Sequence, residues 1–215
     1  SSRDGHSTWL STAAMRRLGI DRNTVSPAGG VIERDADGEP SGVLSENAQH
    51  LIDDDSRLPR SSDAEIRAAI RSALPIAAAA GLTGIHNFED RRSREAFQSL
   101  DAAGELTLRI YHGVPYAELR RARELNLRSG AGTDRVRIGP LKLFADGALG
   151  SRTAHLLEPY EHRADGYRGV ATLEPAELAE AMRLAADAEL DLAVHAIGDA
   201  AVRSVLDTYG AARTS

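Results

Sequence analysis

The chain has no cysteine, two methionines, one tryptophan and only 4% aromatic residues. Without cysteine there are no disulfides and no thiolate metal site, so any metal chemistry must use histidine, carboxylates or lysine. A basic stripe is also missing: 32 acidic residues outnumber 26 lysines and arginines, for a net charge of −6. Phosphate binding needs clustered positive charge, so nucleic acid is not expected as a partner. No apolar run reaches the length of a bilayer span, and the first residues do not have signal-peptide form. No membrane partner is expected, and the cytoplasm is the expected location. What is present is a 42% apolar and 27% charged chain of 215 residues. That is enough for one large domain or two small ones around a sizeable core.

From about residue 62 the pattern alternates between helix and strand. Ser62-Asp63-Ala64-Glu65 has capping-box form and opens an alanine-rich helix with Ile66, Ile70, Leu74 and Ala77 on one face. Pro75 inside it predicts a kink or a break. LTGIHN (82–87) reads as a short buried strand, and the helix after it carries Ala96, Phe97 and Leu100. LTLRIYHG (106–113) is the next strand, with Pro115 in the first turn of the helix that follows. VRIGPLKLFAD (136–146) is a further strand whose Gly139-Pro140 is expected to mark its start. A polar loop to about Thr172 precedes a helix over 174–190 with Leu178, Ala181, Met182 and Ala185 at helical spacing. LDLAVHAI (190–197) is nearly continuous in apolar residues, as a strand covered on both faces should be. The last helix begins at Gly198-Asp199, carries Val202, Val205 and Leu206, and is expected to close at Gly210. Strands separated by helices mean parallel β-α units, which suit a (β/α)8 barrel or a doubly wound sheet. No glycine-rich nucleotide fingerprint follows any strand, which weakens the second option. Residues 1–61 are different in kind, an irregular excursion with a hairpin-like stretch AGGVIERDADGEPSGVL, and 62–215 form the β-α part.

In such folds reactive groups sit at or beyond the carboxyl ends of strands. His86, His112, Lys142, Asp146 and His195 meet that condition. A strand-end histidine is as often a hydrogen-bonded core residue as a ligand, and His112, followed by Gly113, reads as structural. Lys142 stands out because Leu141, Leu143 and Phe144 imply burial of its charge. It either snorkels to water, or serves as a desolvated amine for Schiff-base chemistry, or is carboxylated into a metal ligand.

Two blocks, LKLFADGALGSRTAHLLEPY around Lys142 and LAVHAIGDAAVRSVLD around His195, resemble the YtcJ-like amidohydrolases, also called amidohydrolase family 3. DGHSTWLSTAAM and GGVIERDADGEPSGVLSENA are similar to the stretch these proteins carry between the first barrel strand and its helix. GLTGIHNFED resembles their second strand, with Asn87 where an acidic residue is expected. The resemblance covers nearly the whole chain. It implies about strands two to five of a (β/α)8 TIM-type barrel, after an N-terminal excursion, in a hydrolase of C–N bonds that uses one or two divalent ions, zinc above all. By position, Lys142 becomes the strand-four carboxylated bridging ligand and His195 the strand-five ligand. The metal would lower the pKa of bound water and polarise the scissile carbonyl. Arg152 and His155 are implied substrate contacts for a small amide-type molecule. His86, Asp146 and Asp199 are candidates for a second layer around the metal, although Asp199 equally suits an N-cap. Glu46 and His6 match recurring family positions without an assigned role.

The chain has no His-x-His pair, no sixth-strand His and no eighth-strand Asp. It is therefore expected to be an internal piece of a longer protein, inactive alone and inclined to self-associate through exposed strand edges and apolar helix faces. Two rivals stand beside the hydrolase. One is a Schiff-base aldolase using Lys142; the other is a non-catalytic half-barrel binding or assembly module.

Overall fold

The computed structural model describes residues 2, 5–52, 60–161 and 165–212. Asp4 of the DGHSTWL block and the stretch 53–59 before the expected boundary at 61 lie outside these. The chain divides into two compact units, one of 60–143 with 180–193 and one of 1–59, 144–179 and 194–215.

In the first unit, α2 (Asp63–Ala79) is capped as the sequence predicts: the Ser62 hydroxyl accepts from the Glu65 amide, and the Glu65 carboxylate accepts from the Ser62 amide at 2.7 Å. The helix runs unbroken through Pro75. Both Arg71 and Pro75 lie on the exposed side, so water can serve the carbonyl that the missing N–H leaves without its helical partner. Strand β4 (Gly84–Asn87), helix α3 (Arg91–Ala102), strand β5 (Arg109–Pro115), the short helix α4 (Leu119–Glu124) and strand β6 (Val136–Phe144) follow. β5 begins three residues later than expected and ends on Pro115, so His112 lies in mid-strand rather than near its end. The core under this sheet packs Leu74, Phe97, Leu100, Leu106, Leu108, Ile110 and Val136 together.

β4 pairs with β5 and β5 with β6 in parallel. Gly139-Pro140 does not start β6 but sits inside it, where the register shifts: His112 opposes Ile138, yet Val114 opposes Leu141. Two residues of β6 thus stand against Gly113 alone, a bulge that accommodates an imino acid with no ladder donor. Strand β7 (Leu192–His195) completes the order β4-β5-β6-β7. Sequential order with intervening helices is that of part of a (β/α)8 barrel; a doubly wound sheet would reverse direction at a switch point. β7 is half-buried throughout rather than covered on both faces, because it is the last strand of that order among the described residues.

The second unit holds an antiparallel sheet, ordered β1-β3-β2, of β1 (Ser7–Trp9), β2 (Gly30–Arg34) and β3 (Pro40–Glu46). Helix α1 (Thr12–Leu18) packs Met15 and Leu18 with Ile20, Ile32, Leu44 and Ala48. The post-β6 loop is pinned by a bridge between Asp146 and Ala171. Helix α5 (Pro175–Asp187), of which residues 180–187 belong to the first unit, buries Leu178, Ala181 and Ala185 as the spacing predicts. Helix α6 (Asp199–Ala212) continues through Gly210 instead of stopping there, and buries Val205 but leaves Leu206 exposed.

Candidate active site

The residues after β6 and those at the end of β3 build one cluster in the second unit. Asp146 has no exposed surface. Its Oδ2 accepts the amides of Gly198 at 2.7 Å and His155 at 2.9 Å, and its Oδ1 accepts that of Ile197 at 2.9 Å. A carboxylate with three backbone donors is satisfied where it stands, so Asp146 ties the loop to the turn that follows His195. Any side chain at Gly198 would run into the His155 carbonyl, which explains the glycine there. Asp199 starts α6 and accepts the amides of Leu157 and Ala200 on one oxygen. Arg152 is exposed with φ +57°, and His155 is half-buried.

His195 ends β7. Its Nε2 lies 2.9 Å from the Gly147 carbonyl and 3.9 Å from Asp146 Oδ1. A carbonyl can only accept, so neutral His195 carries its proton on Nε2 and keeps the Nδ1 lone pair for another partner. The ring packs against Phe144, with centroids 5.2 Å apart, and against His6 at 5.0 Å. His6 Nδ1 lies 3.0 Å from Oε2 of the buried Glu46. The other oxygen of Glu46 accepts the Thr153 hydroxyl. Glu46 holds φ +52°, a conformation that costs a non-glycine residue on the order of 1–3 kcal/mol and persists only where its surroundings enforce it. A cavity of 320 Å³ opens beside this pair, lined by His6, Glu46, Asn47, Gln49, His50 and Phe144 among others.

In the other unit, Lys142 is half-buried, and desolvation pushes its ammonium down to about 8. Its Nζ donates to the Leu143 carbonyl at 3.0 Å and stands 5.5 Å over the Phe88 ring. Gly113 leaves the room that Phe88 occupies. His86 is exposed, with its ring 5.1 Å from that of Tyr111, in a cavity of 470 Å³ that also holds Arg109, Arg135 and Arg137. His112 is fully buried, and burial together with the nearby Arg94 pushes it down to about 4, the state of a core residue.

No three His, Asp or Glu side chains among the described residues converge to hold a metal ion. Two donors fit such an ion by their chemistry: the desolvated Lys142, and His195 through Nδ1. The sequence assigns Thr153, Ser151 and Gly147 no role, and nothing short of a spatial partner for Glu46 could have given them one.

The amidohydrolase family model matches residues 1–215. The chain is 36% identical over 209 residues to "Putative amidohydrolase YtcJ" of Bacillus subtilis, covering 94% of this chain and 38% of that protein. It is 28% identical to "N-substituted formamide deformylase" of Arthrobacter pascens, covering 97% and 40%. A crystal structure of an uncharacterized metal-dependent hydrolase from Pyrococcus furiosus superposes with a TM-score of 0.70 at 27% identity, over 97% of this chain and 42% of that one. The chain thus spans about two fifths of the length of the relatives it matches. Its half-barrel architecture and its matches along the whole length agree: the chain belongs to the amidohydrolase family.

Proposed function

We propose that this chain supplies a lysine and a histidine to a divalent-metal site, and that the complete protein hydrolyses a carbon–nitrogen bond, an amide or N-formyl group, in a small molecule. The observation that carries this reading is the desolvated Lys142, lowered to about 8. A neutral amine adds to carbon dioxide and releases one proton, which turns a costly buried cation into an oxygen donor for a hard or borderline ion. His195 adds a nitrogen donor through Nδ1. A divalent ion so held, zinc for preference with imidazole and oxygen donors, supplies Lewis acidity toward the scissile carbonyl and acidity to water. Asp146 and Gly147 keep the His195 ring in place. The 320 Å³ cavity has no lysine or arginine among its described lining residues, and the exposed Phe144 ring forms one wall. That lining, which includes the Glu46 carboxylate, disfavours an anionic group beside the bond to be cut, and the formamide deformylase named above supports the N-formyl option.

The test uses the complete protein with simple amides and N-substituted formamides. Labelled bicarbonate should give a carbamate signal at Lys142, and Lys142→Ala should remove that signal and the hydrolysis together. Hydrolysis that survives both Lys142→Ala and a chelator would overturn the reading. The lowered amine also supports Schiff-base chemistry; borohydride with a carbonyl compound would then leave a covalent adduct at Lys142.

A further inference from the structure

We propose that Glu46 is a positioning residue for His195, acting through a directed relay of hydrogen bonds. The direction follows from the groups themselves. A carboxylate only accepts, so the Thr153 hydroxyl gives its single proton to Glu46. Thr153 Oγ1 then accepts from its other neighbours, the Ala148 amide at 3.1 Å and the Ser151 hydroxyl at 2.7 Å. The Ala148 N–H belongs to the same planar peptide group as the Gly147 carbonyl, and in a trans peptide the two point in opposite directions. Holding the N–H on Thr153 therefore aims the carbonyl at His195, which donates to it from Nε2 at 2.9 Å. Every donor in the series points toward Glu46, and aligned bonds of this kind polarise one another.

Two further observations place Glu46 at the head of this relay. Its second oxygen meets His6 Nδ1 at 3.0 Å, and the His6 ring packs on His195. Both oxygens of one carboxylate thus bear on the same imidazole, one through the peptide and one through a ring. Gly147 is also so close that a methyl group there would strike both the Glu46 carboxylate and the Thr153 hydroxyl. The strained backbone at Glu46 is what brings a side chain from the end of β3 to this point.

The importance of the relay rests on the reading of His195 as a donor to a metal, since a ring held by its other nitrogen is a better-oriented ligand. The relay itself is read without any metal. Nitrogen NMR of the chain with labelled histidine, His195 being assigned from His195→Asn, reports which ring nitrogen carries the proton in the neutral form. Wild type should show Nε2–H. Glu46→Gln and Thr153→Val should convert it to a mixture of both tautomers, and Thr153→Ser, which keeps the hydroxyl, should restore Nε2–H. An unchanged Nε2–H form in folded Glu46→Gln and Thr153→Val overturns the proposal. If Glu46→Gln does not fold, the two Thr153 variants decide alone. In the complete protein, Thr153→Val should also weaken zinc binding about 10- to 100-fold against Thr153→Ser. The tautomer result and the hydrolysis result can each fail while the other holds.

Discussion

The Asp146 carboxylate and the Gly198 amide meet at 2.7 Å in the interior, and with them the loop after β6 is fastened to the turn beyond His195. Three backbone amides depend on this one side chain. Asp146→Asn keeps one acceptor and turns donors toward amides that are themselves donors. It should cost about 2–4 kcal/mol, seen as a lower urea midpoint at unchanged slope. A change below about 0.5 kcal/mol would contradict the fastening role.

Lys142 gives a pH signature. Its folded-state pKa is lowered from 10.5 to about 8, so between those values the unfolded chain binds the proton that the folded one releases. Stability should therefore rise with pH across that window. Lys142→Met should stabilise the chain below pH 8, and the gain should fade as pH approaches 10.5. Chemical denaturation at a series of pH values measures this; a gain independent of pH would mean the amine is not desolvated.

His112 acts over a lower window. Lowered from 6.5 to about 4, it favours the folded state fully above 6.5 and weakens it as pH falls toward 4. The loss is on the order of 3 kcal/mol at most. His112→Leu should flatten this part of the stability curve, whatever it does at neutral pH. An acid limb of unchanged slope would argue against the buried neutral ring.

The isolated chain with added zinc should not hydrolyse simple amides, because no three donor side chains converge among its described residues. Clear turnover that Lys142→Ala abolishes would sink this expectation.

Gly147→Ala should be more harmful than an ordinary loop substitution. A methyl group there meets the Glu46 carboxylate and the Thr153 hydroxyl together. The expected result is a loss of about 1–3 kcal/mol, together with a changed His195 ring signal. A silent substitution would show that the loop can move away at little cost.

Much of the fold was legible because its signals are local. Ser62 and Glu65 form the box their spacing announces, and Phe97 and Leu100 are buried as their helical period requires. The errors came where tertiary context overrules a local rule. Pro75 is tolerated on an exposed helix face, Gly210 within a helix, and Gly139-Pro140 inside a strand. The site was legible only in part, for a related reason. Lys142 and His195 announce themselves by chemistry in an apolar strand. Glu46 and Thr153 lie 107 positions apart, and no short-range pattern connects them.

The bulge at Gly139-Pro140 carries a consequence for Lys142 itself. Side chains alternate along a strand, so the same residues in a regular ladder with no bulge would put positions 140, 142 and 144 in phase with Val136 and Ile138, toward the helix-side core. The single inserted residue reverses that phase. Leu141 and Leu143 take the buried places, and Lys142 and Phe144 turn to the opposite face, where Phe88 meets the ammonium. Pairing both Gly139 and Pro140 in a regular ladder would send a lysine into a leucine layer and two leucines out of it, whereas deleting one of the two would leave every face as it is. The face on which Lys142 stands thus depends on one residue being taken up by the bulge rather than by the ladder.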